Sequence, residues 1–92
     1  MKTYLIGYDL MKQGQDYDAL VEEIKKIGDW WHCLDSTWIV KTNLDSQQIR
    51  DRLIPKIDNN DRLLVVRLKQ EAAWVGFKKE CSDWLKNYLT DE

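Results

Sequence analysis

The residue of this sequence whose type and position best suit chemistry is Asp9, which comes at the end of the hydrophobic run of residues 3–10. A carboxylate that closes a strand can hold a hard cation such as Mg²⁺ or Mn²⁺ through one or two oxygens, which leaves other positions for water and phosphate. Such a site suits phosphodiester hydrolysis. The alternative is structural: Asp9 accepts backbone hydrogen bonds in the following loop. Taken alone, the motif favours the structural role.

Histidine and cysteine are scarce, with one histidine and two cysteines in the chain. His32 lies in a strand-like segment without a serine or cysteine in a nucleophile-elbow setting, so we interpret it as structural. Cys33 and Cys81 form no C-x-x-C pair, and we expect both to be buried, small apolar residues in a reducing compartment. Metal ligation by His32, Cys33 and Cys81 is the alternative, but it lacks a fourth ligand and a recognised spacing.

Composition and charge narrow the class of protein. A chain of 92 residues, 43% apolar and 33% charged, is typical of one globular domain over 1–92. Its net charge of −2 lacks the basic excess of proteins that hold long duplexes. A nucleic-acid role would therefore need a local patch, an oligomeric surface or a metal ion. No window reaches the length of about 18 apolar residues needed for a membrane span, and the start of the chain lacks the regions of a signal peptide. We therefore expect a cytoplasmic protein without membrane partners.

Four strand-like segments support these residues, at 3–10, 30–34, 37–42 and 62–68. The first and the last are nearly uninterrupted in hydrophobicity, which is typical of central strands covered on both faces. A tight turn at Asp35-Ser36 joins the middle two. Within the first strand, Gly7 is expected to mark the close approach of another backbone or of a ligand.

The sequence pattern predicts a helix after the first strand. Its apolar residues have helical spacing over 17–27, and charged residues cover the opposite face. Asp16 or Asp18 can cap its N-terminus, where a negative charge is favourable. Gly28 is expected to end the helix in the left-handed conformation.

The second half of the chain completes the predicted fold. A second helix over 45–57 begins with capping-box spacing, and Pro55 should distort or end its last turn. Residues 71–76 could extend a third helix or form a fifth strand. That third helix is amphipathic, with apolar residues Phe77, Cys81, Trp84, Leu85 and Tyr88. The order predicts an α+β, ferredoxin-like βαββαβ sandwich with two helices on one face and an additional C-terminal helix.

Trp30 and Trp31 are adjacent on a strand, so they must face opposite sides of the sheet. One can join the helix-covered core, and the other falls on the sheet's second face. Aromatic side chains on an open sheet could stack on bases, but the RNA-binding aromatic motif of such sheets is missing. An apolar open face is more often a dimer interface, and on this ground we predict a homodimer.

Several motifs together resemble a known family. They are the strand end Gly7-Tyr8-Asp9-Leu10, the stretch Trp30-Trp31-His32, and Asp35-Ser36-Thr37-Trp38. In these motifs the chain is similar, over nearly its whole length, to the short bacterial proteins called SinR-like. Over residues 1–70 it also resembles the Cas-two-type proteins of CRISPR adaptation and their VapD toxin relatives.

The resemblance implies a ferredoxin-like fold and a homodimer. It also implies that the strand-end aspartate, which matches Asp9, acts as catalytic residue and ligand of Mg²⁺ or Mn²⁺ at the dimer interface. The serine that opens the family's third strand matches Ser36, an auxiliary polar group at the catalytic site. Nuclease activity is attributed to some members and a purely structural role to others.

Two functions therefore compete. The first is a metal-dependent nuclease that acts on RNA or DNA phosphodiesters. The second is a non-catalytic dimeric interaction or regulatory module, antitoxin-like or associated with CRISPR or another defence pathway. The family resemblance favours the first, whereas the acidic balance and the poor supply of catalytic side chains favour the second.

Overall fold

The computed structural model of the chain describes residues 1–11, 17–69 and 71–89. In these residues the elements are β1 (Lys2–Asp9), α1 (Asp18–Lys25), β2 (Asp29–Leu34), β3 (Thr37–Thr42), α2 (Ser46–Leu53), a 3₁₀ turn (Ile54–Lys56), β4 (Arg62–Arg67) and α3 (Lys79–Leu89). The prediction of a small α+β domain with a four-stranded antiparallel sheet is confirmed. None of the helices in these ranges has the length and apolar character needed to cross a membrane.

The sheet has the strand order β2-β3-β1-β4. β1 lies inside it, with Leu5 opposite Ile39 of β3 on one side and opposite Val66 of β4 on the other. The prediction of a central strand is therefore confirmed for β1 and wrong for β4, which forms an edge. The hydrophobic run of β4 has another cause. One of its faces packs on the helices, while Leu64 and Val66 on the other face are 57% and 40% exposed.

Alternation along β1 and β3 builds the main core against α1 and α2. Successive side chains of a strand point to opposite faces, and one set of alternate positions is fully covered by the two helices. Each buried aliphatic side chain contributes roughly 1.5–3 kcal/mol, so this layer is a major source of stability. Its buried residues are Tyr4, Ile6, Leu20, Ile24, Ile27, Trp38, Val40, Ile49 and Leu53.

Helix α1 begins at Asp18, which lies in its first turn, and the cap position is Tyr17 without a side-chain cap bond. Asp16, the other predicted cap, lies outside the described residues. The prediction of a left-handed Gly28 is wrong, because this residue does not have a positive φ. Glycine is required there for another reason: a Cβ would collide with the carbonyl oxygen of Lys41 on β3.

Helix α2 begins and ends as the sequence predicts. Asp45 Oδ1 accepts a hydrogen bond from the Gln48 N–H at 2.8 Å, and Gln48 Oε1 accepts one from the Asp45 N–H at 2.9 Å. The capping box is therefore confirmed. The helix ends at Leu53, and Pro55 lies in the 3₁₀ turn that follows, which confirms the predicted distortion.

An ion pair joins the two helices on this face. Arg52 of α2 donates from Nε and Nη2 to Glu23 Oε2 of α1, at 3.0 and 2.7 Å. The hydrogen bonds and charge of the Arg52 guanidinium hold the pKa of Glu23 below its usual range. The pair therefore favours one packing of α1 against α2 while the carboxylate is ionised.

Helix α3 covers part of the second face of the sheet. Trp31 of β2 and Ile39 of β3 are 4% and 7% exposed, and they pack against Leu85 and Leu89 of α3. The predicted amphipathic terminal helix is thus confirmed. The ambiguous residues 71–76 have neither helical nor strand structure.

The two adjacent tryptophans do face opposite sides of the sheet. Trp31 lies under α3, while Trp30 packs against Trp38 at a ring distance of 5.4 Å and remains 41% exposed at the sheet edge. The argument for a homodimer assumed that the second face has no cover within the chain. That assumption is wrong for the part of the face that contains Trp31, and it holds only for the β1–β4 part.

The two cysteines are bonded to each other. Cys33 of β2 and Cys81 of α3 form a disulfide, with their Cα atoms 6.4 Å apart. The prediction of two free, buried apolar cysteines is therefore wrong. The alternative of a metal site with His32 is wrong as well, because both sulfurs are used in the bond. The two positions are 48 residues apart, and the sequence gives no sign of the distance between them in the fold.

Candidate functional site

The part of the second face that α3 leaves uncovered is the candidate site. Strand β1 contributes three alternate positions to it, and these lie opposite three alternate positions of β4. All six face the same side, because alternate residues of a strand share a face. We call these six residues the open strip: Leu5, Gly7 and Asp9, opposite Val66, Leu64 and Arg62 respectively.

The open strip is covered at one end and free at the other. Near its Leu5 end, Thr3 Oγ1 donates a hydrogen bond to the Tyr88 carbonyl oxygen of α3 at 3.3 Å, and Leu68 packs against the cluster under that helix. At the other end, Asp9 and Arg62 are exposed. A partner or substrate that approaches the open strip therefore has the most room at the Asp9 end.

A cavity of about 390 Å³ lies at this free end. Asp9 and Ser36, the two site residues implied by the family resemblance, both line it. Ser36 is brought there because the β1–β3 ladder continues past its last strand pair, so that the Tyr8 N–H donates to the Ser36 carbonyl oxygen at 3.2 Å. The other lining residues are Gly7, Tyr8, Thr37, Arg62, Leu63 and Leu64.

Gly7 leaves space in the cavity because it has no side chain. A Cβ at this position would have Leu5 Cδ2 as its nearest neighbour, at an ordinary contact distance of 3.5 Å. No other backbone therefore approaches Gly7 closely within the described residues, which removes one of the two roles predicted for it. The remaining role, space for a ligand, agrees with its position in the cavity wall.

Asp9 forms an ion pair across the β1–β4 edge. Its Oδ2 lies 3.9 Å from Arg62 Nη1, and the two side chains are 67% and 75% exposed. At such exposure water screens the pair, so it contributes little to stability. A divalent cation on Asp9, or a phosphate on Arg62, could therefore replace the partner at small cost.

Another carboxylate, Asp61, which was not singled out from the sequence, binds Met11 just after β1 and Tyr17 just before α1. Asp61 Oδ1 accepts hydrogen bonds from the Met11 N–H at 2.7 Å and from the Tyr17 hydroxyl at 3.2 Å. Oδ2 accepts from the Asp58 N–H at 2.8 Å. In the sequence, the position of Asp61 directly before the last strand was the feature that could have indicated this role. The structural alternative for Asp9, hydrogen bonds to the loop that follows it, concerns residues 12–16, which lie outside the described residues.

His32 packs beside the site without entering the cavity of Asp9. Its ring stacks on Trp38 at 3.8 Å with an interplanar angle of 4°, and its Nδ1 lies 3.2 Å from the Thr37 carbonyl oxygen. Trp38 Nε1 in turn donates to the Tyr8 hydroxyl at 2.9 Å. These contacts give His32 a packing role, in agreement with its structural interpretation.

Among the described residues, Asp9 is the one carboxylate that lines the cavity. Across residues 1–11, 17–69 and 71–89, no group of three histidine, cysteine or acidic side chains is placed to hold a metal ion. One carboxylate is nevertheless compatible with Mg²⁺, which keeps several waters and is bound in many enzymes through only one or two carboxylates. A second copy of Asp9 would complete such a pair.

Comparison of the chain with protein-family models finds no match, and comparison with solved structures finds none either. The resemblance to SinR-like, Cas-two-type and VapD proteins therefore stays a hypothesis based on the sequence motifs.

The Asp61 hydrogen bonds generate a stability prediction. Asp61→Ala leaves the Met11 N–H and the Tyr17 hydroxyl without this acceptor, and bonds to a charged group are worth more than neutral ones. We expect the free energy of unfolding in urea to fall by about 2 kcal/mol. As a control, Asp35→Ala in an exposed turn should change it by less than about 0.5 kcal/mol. Equal effects of the two substitutions would contradict the anchoring role of Asp61.

Proposed function

We propose that this chain is a homodimeric Cas-two/VapD-like nuclease that cleaves RNA or DNA phosphodiesters with Mg²⁺ or Mn²⁺. One observation carries the proposal: Asp9 lies at the free end of an apolar strip whose other end is covered by α3. A two-fold axis at that free end would bring two copies of Asp9 together. Gly7, which has no side chain, allows the two sheets to approach closely at this point.

The proposal includes the finer assignment of the fold as ferredoxin-like. The strand order β2-β3-β1-β4 supports it, as do the two helices α1 and α2 that pack on the same face of an antiparallel sheet. In this arrangement α3 is an addition after the fourth strand. It covers the β2–β3 part of the second face and leaves the β1–β4 part for a second copy.

The charges of the site give each residue a role. Two Asp9 carboxylates across an axis repel each other, and a cation between them removes that repulsion. When bound, the cation would polarise a phosphoryl oxygen and lower the pKa of attacking water. Arg62, released from Asp9, is within reach of a phosphate. Ser36 would contribute a hydroxyl that donates a hydrogen bond to a phosphate oxygen.

The position of the axis distinguishes this dimer from another one. The free edge of β4 could instead pair with its own copy and form a continuous eight-stranded sheet. Two copies of β1 would then be separated by three strand spacings, about 14 Å, and their Asp9 side chains would share no ion. The nuclease therefore requires contact through the open strip and not through the β4 edge.

A non-catalytic dimeric module is the second candidate. The ion pair between Asp9 and Arg62 favours it, because Asp9, the one carboxylate that lines the cavity in the described part of the chain, already has a cationic partner from its own chain. The net charge of −2 also provides no general attraction for nucleic acid. In this function the open strip would serve only as an interface, in an antitoxin-like, regulatory or defence-associated complex.

The first test of the proposal concerns the assembly. Sedimentation at micromolar concentration should give about twice the chain mass of 11.0 kDa. Leu64→Asp should yield a monomer, because it would bury a charge against its own copy. Val75→Asp is the matched control, since Val75 is 91% exposed and lies outside the open strip. A wild type that stays monomeric over a wide concentration range contradicts the dimer, as does an equal response of both variants.

The second test concerns the chemistry. Wild type with Mn²⁺ or Mg²⁺ should cleave single-stranded RNA or duplex DNA, and Asp9→Asn should reduce the rate by about 100-fold or more without unfolding the protein. Asp51→Asn, which removes an exposed carboxylate from α2, should leave the rate unchanged.

Two outcomes would oppose the nuclease. Cleavage that survives Asp9→Asn must come from another site or a contaminating enzyme. A wild type that forms the predicted dimer but cleaves neither substrate supports the non-catalytic module instead.

A further inference from the structure

Helix α3 is attached to the sheet by one covalent bond, by an apolar cluster and by hydrogen bonds, among them the one from Thr3 Oγ1 to the Tyr88 carbonyl oxygen. The Cys33–Cys81 disulfide ties the start of α3 to β2. Next to it, Trp31 Nε1 donates to the Cys81 carbonyl oxygen at 3.1 Å, and Leu85 and Leu89 pack on the sheet. By contrast, α1 and α2 bury four side chains without exposed surface. The disulfide is the covalent part of this attachment, and neither α1 nor α2 contains a cysteine that could form one.

The chain before α3 gives this helix freedom to move once the bond is broken. Residues 71–78 have no helix or strand structure. Val75 is 91% exposed, and a Cβ at Gly76, whose φ is +94°, would contact nothing within 4 Å. Trp74 donates a hydrogen bond to Ser82 of α3 itself, and this segment contacts the sheet through the edge-to-face packing of Phe77 on Trp31 of β2.

Both sides of the disulfide are open to small molecules. A cavity of about 320 Å³ is lined by both cysteines together with His32, Phe77 and Lys78. A second cavity of about 190 Å³ is lined by both cysteines from the side of Trp84. Cys33 and Cys81 are half-buried, and the β2–β3 register is irregular between Trp31 and Leu34, where Cys33 lies. A disulfide in this setting is accessible in the folded protein.

The two sulfurs are not equivalent as leaving groups. Cys81 lies in the first turn of α3, where the positive end of the helix dipole stabilises a thiolate. Lys78, which lines the larger cavity, adds a positive charge nearby, and Glu80, which lines the smaller one, opposes it, so the helix terminus is the main difference between the two sulfurs. Cys33 lies on an edge strand without a helix terminus. A thiolate that attacks this bond therefore does so best at Cys33, with Cys81 as the leaving group.

We propose that the Cys33–Cys81 disulfide is a thiol–disulfide exchange site, and that its reduction by a small-molecule thiol of the glutathione class releases α3 from the second face of the sheet. The reductant's thiolate bonds to Cys33 Sγ, and the Cys33–Cys81 bond breaks with its electron pair on Cys81 Sγ. A second reductant thiolate attacks the first in the mixed disulfide and frees Cys33. Both protein thiolates can take protons from water, and two reductant molecules leave joined as a disulfide.

The consequence is a change of surface. Release of α3 uncovers Trp31 and Ile39, which are otherwise under 10% exposed and which adjoin the open strip. The apolar area on the second face then extends from β1–β4 to the whole sheet. An accessible disulfide that holds a helix to the sheet suits thiol–disulfide exchange, because a reductant can reach it in the folded protein. This inference does not depend on the nuclease proposal.

The test uses the whole wild-type chain without denaturant. Oxidised protein is incubated with millimolar glutathione, its free thiols are trapped by alkylation, and the mass gives the fraction reduced. Hydrogen exchange of the reduced and alkylated protein is then compared with that of the oxidised protein. We expect complete reduction, with amide exchange in Lys79–Leu89 faster by about tenfold or more and exchange in β1 unchanged. The double variant Cys33→Ser/Cys81→Ser should show the same hydrogen exchange as the reduced wild type, and glutathione should not change it.

Three results would overturn the inference. The first is a bond that resists glutathione until denaturant is added, which would make it a structural disulfide. The second is reduction without faster exchange in α3, which would mean that the apolar contacts alone hold the helix. The third is exchange that rises equally in β1 and α3, because the bond would then support the whole fold. If the double variant fails to fold, the comparison of reduced with oxidised wild type still tests the inference.

Discussion

The pairing of β1 on both sides is the constraint on which the rest of the structure depends. β1 is hydrogen-bonded to β3 on one side and to β4 on the other, so it has no free edge and other elements can contact it only through its two faces. One face, with Tyr4 and Ile6, receives α1 and α2 and forms the main core. The other face carries Leu5, Gly7 and Asp9, and α3 reaches only its first residues. The candidate site exists because a central strand has a second face that this short chain covers only in part.

The same constraint relates the site to the terminal helix. Leu64 and Val66 of the open strip are 57% and 40% exposed, and exposed apolar side chains grouped on one face are typical of interaction surfaces. In the proposed dimer, a second copy would cover them and bring a second Asp9 to the cavity. The position of α3 determines which end of the open strip stays free. The Cys33–Cys81 bond holds α3 in that position.

Local signals in the sequence predicted local structure well. The capping box of Asp45 and Gln48, the break at Pro55 and the turn at Asp35-Ser36 each depend on neighbouring residues, and each is present. Features set by distant contacts were not predictable in this way. The apolar run of β4 is the same for a central strand and for an edge strand with one open face. Likewise, glycine is required at position 28 because a Cβ there would collide with the backbone of Lys41, and the disulfide joins positions 48 residues apart. At the candidate site, Asp9 was recognised because it closes a hydrophobic strand. Asp61 was missed because two of its partners, Met11 and Tyr17, are distant from it in the sequence.

The central claim is that two copies of Asp9 meet at the free end of the open strip, and the stoichiometry of metal binding tests it most directly. Calorimetric titration of the wild-type chain with Mn²⁺ should give one ion per two chains, and Asp9→Asn should abolish that binding while the protein stays folded. One ion per chain, binding that persists in Asp9→Asn, or no binding by the wild type would contradict the account.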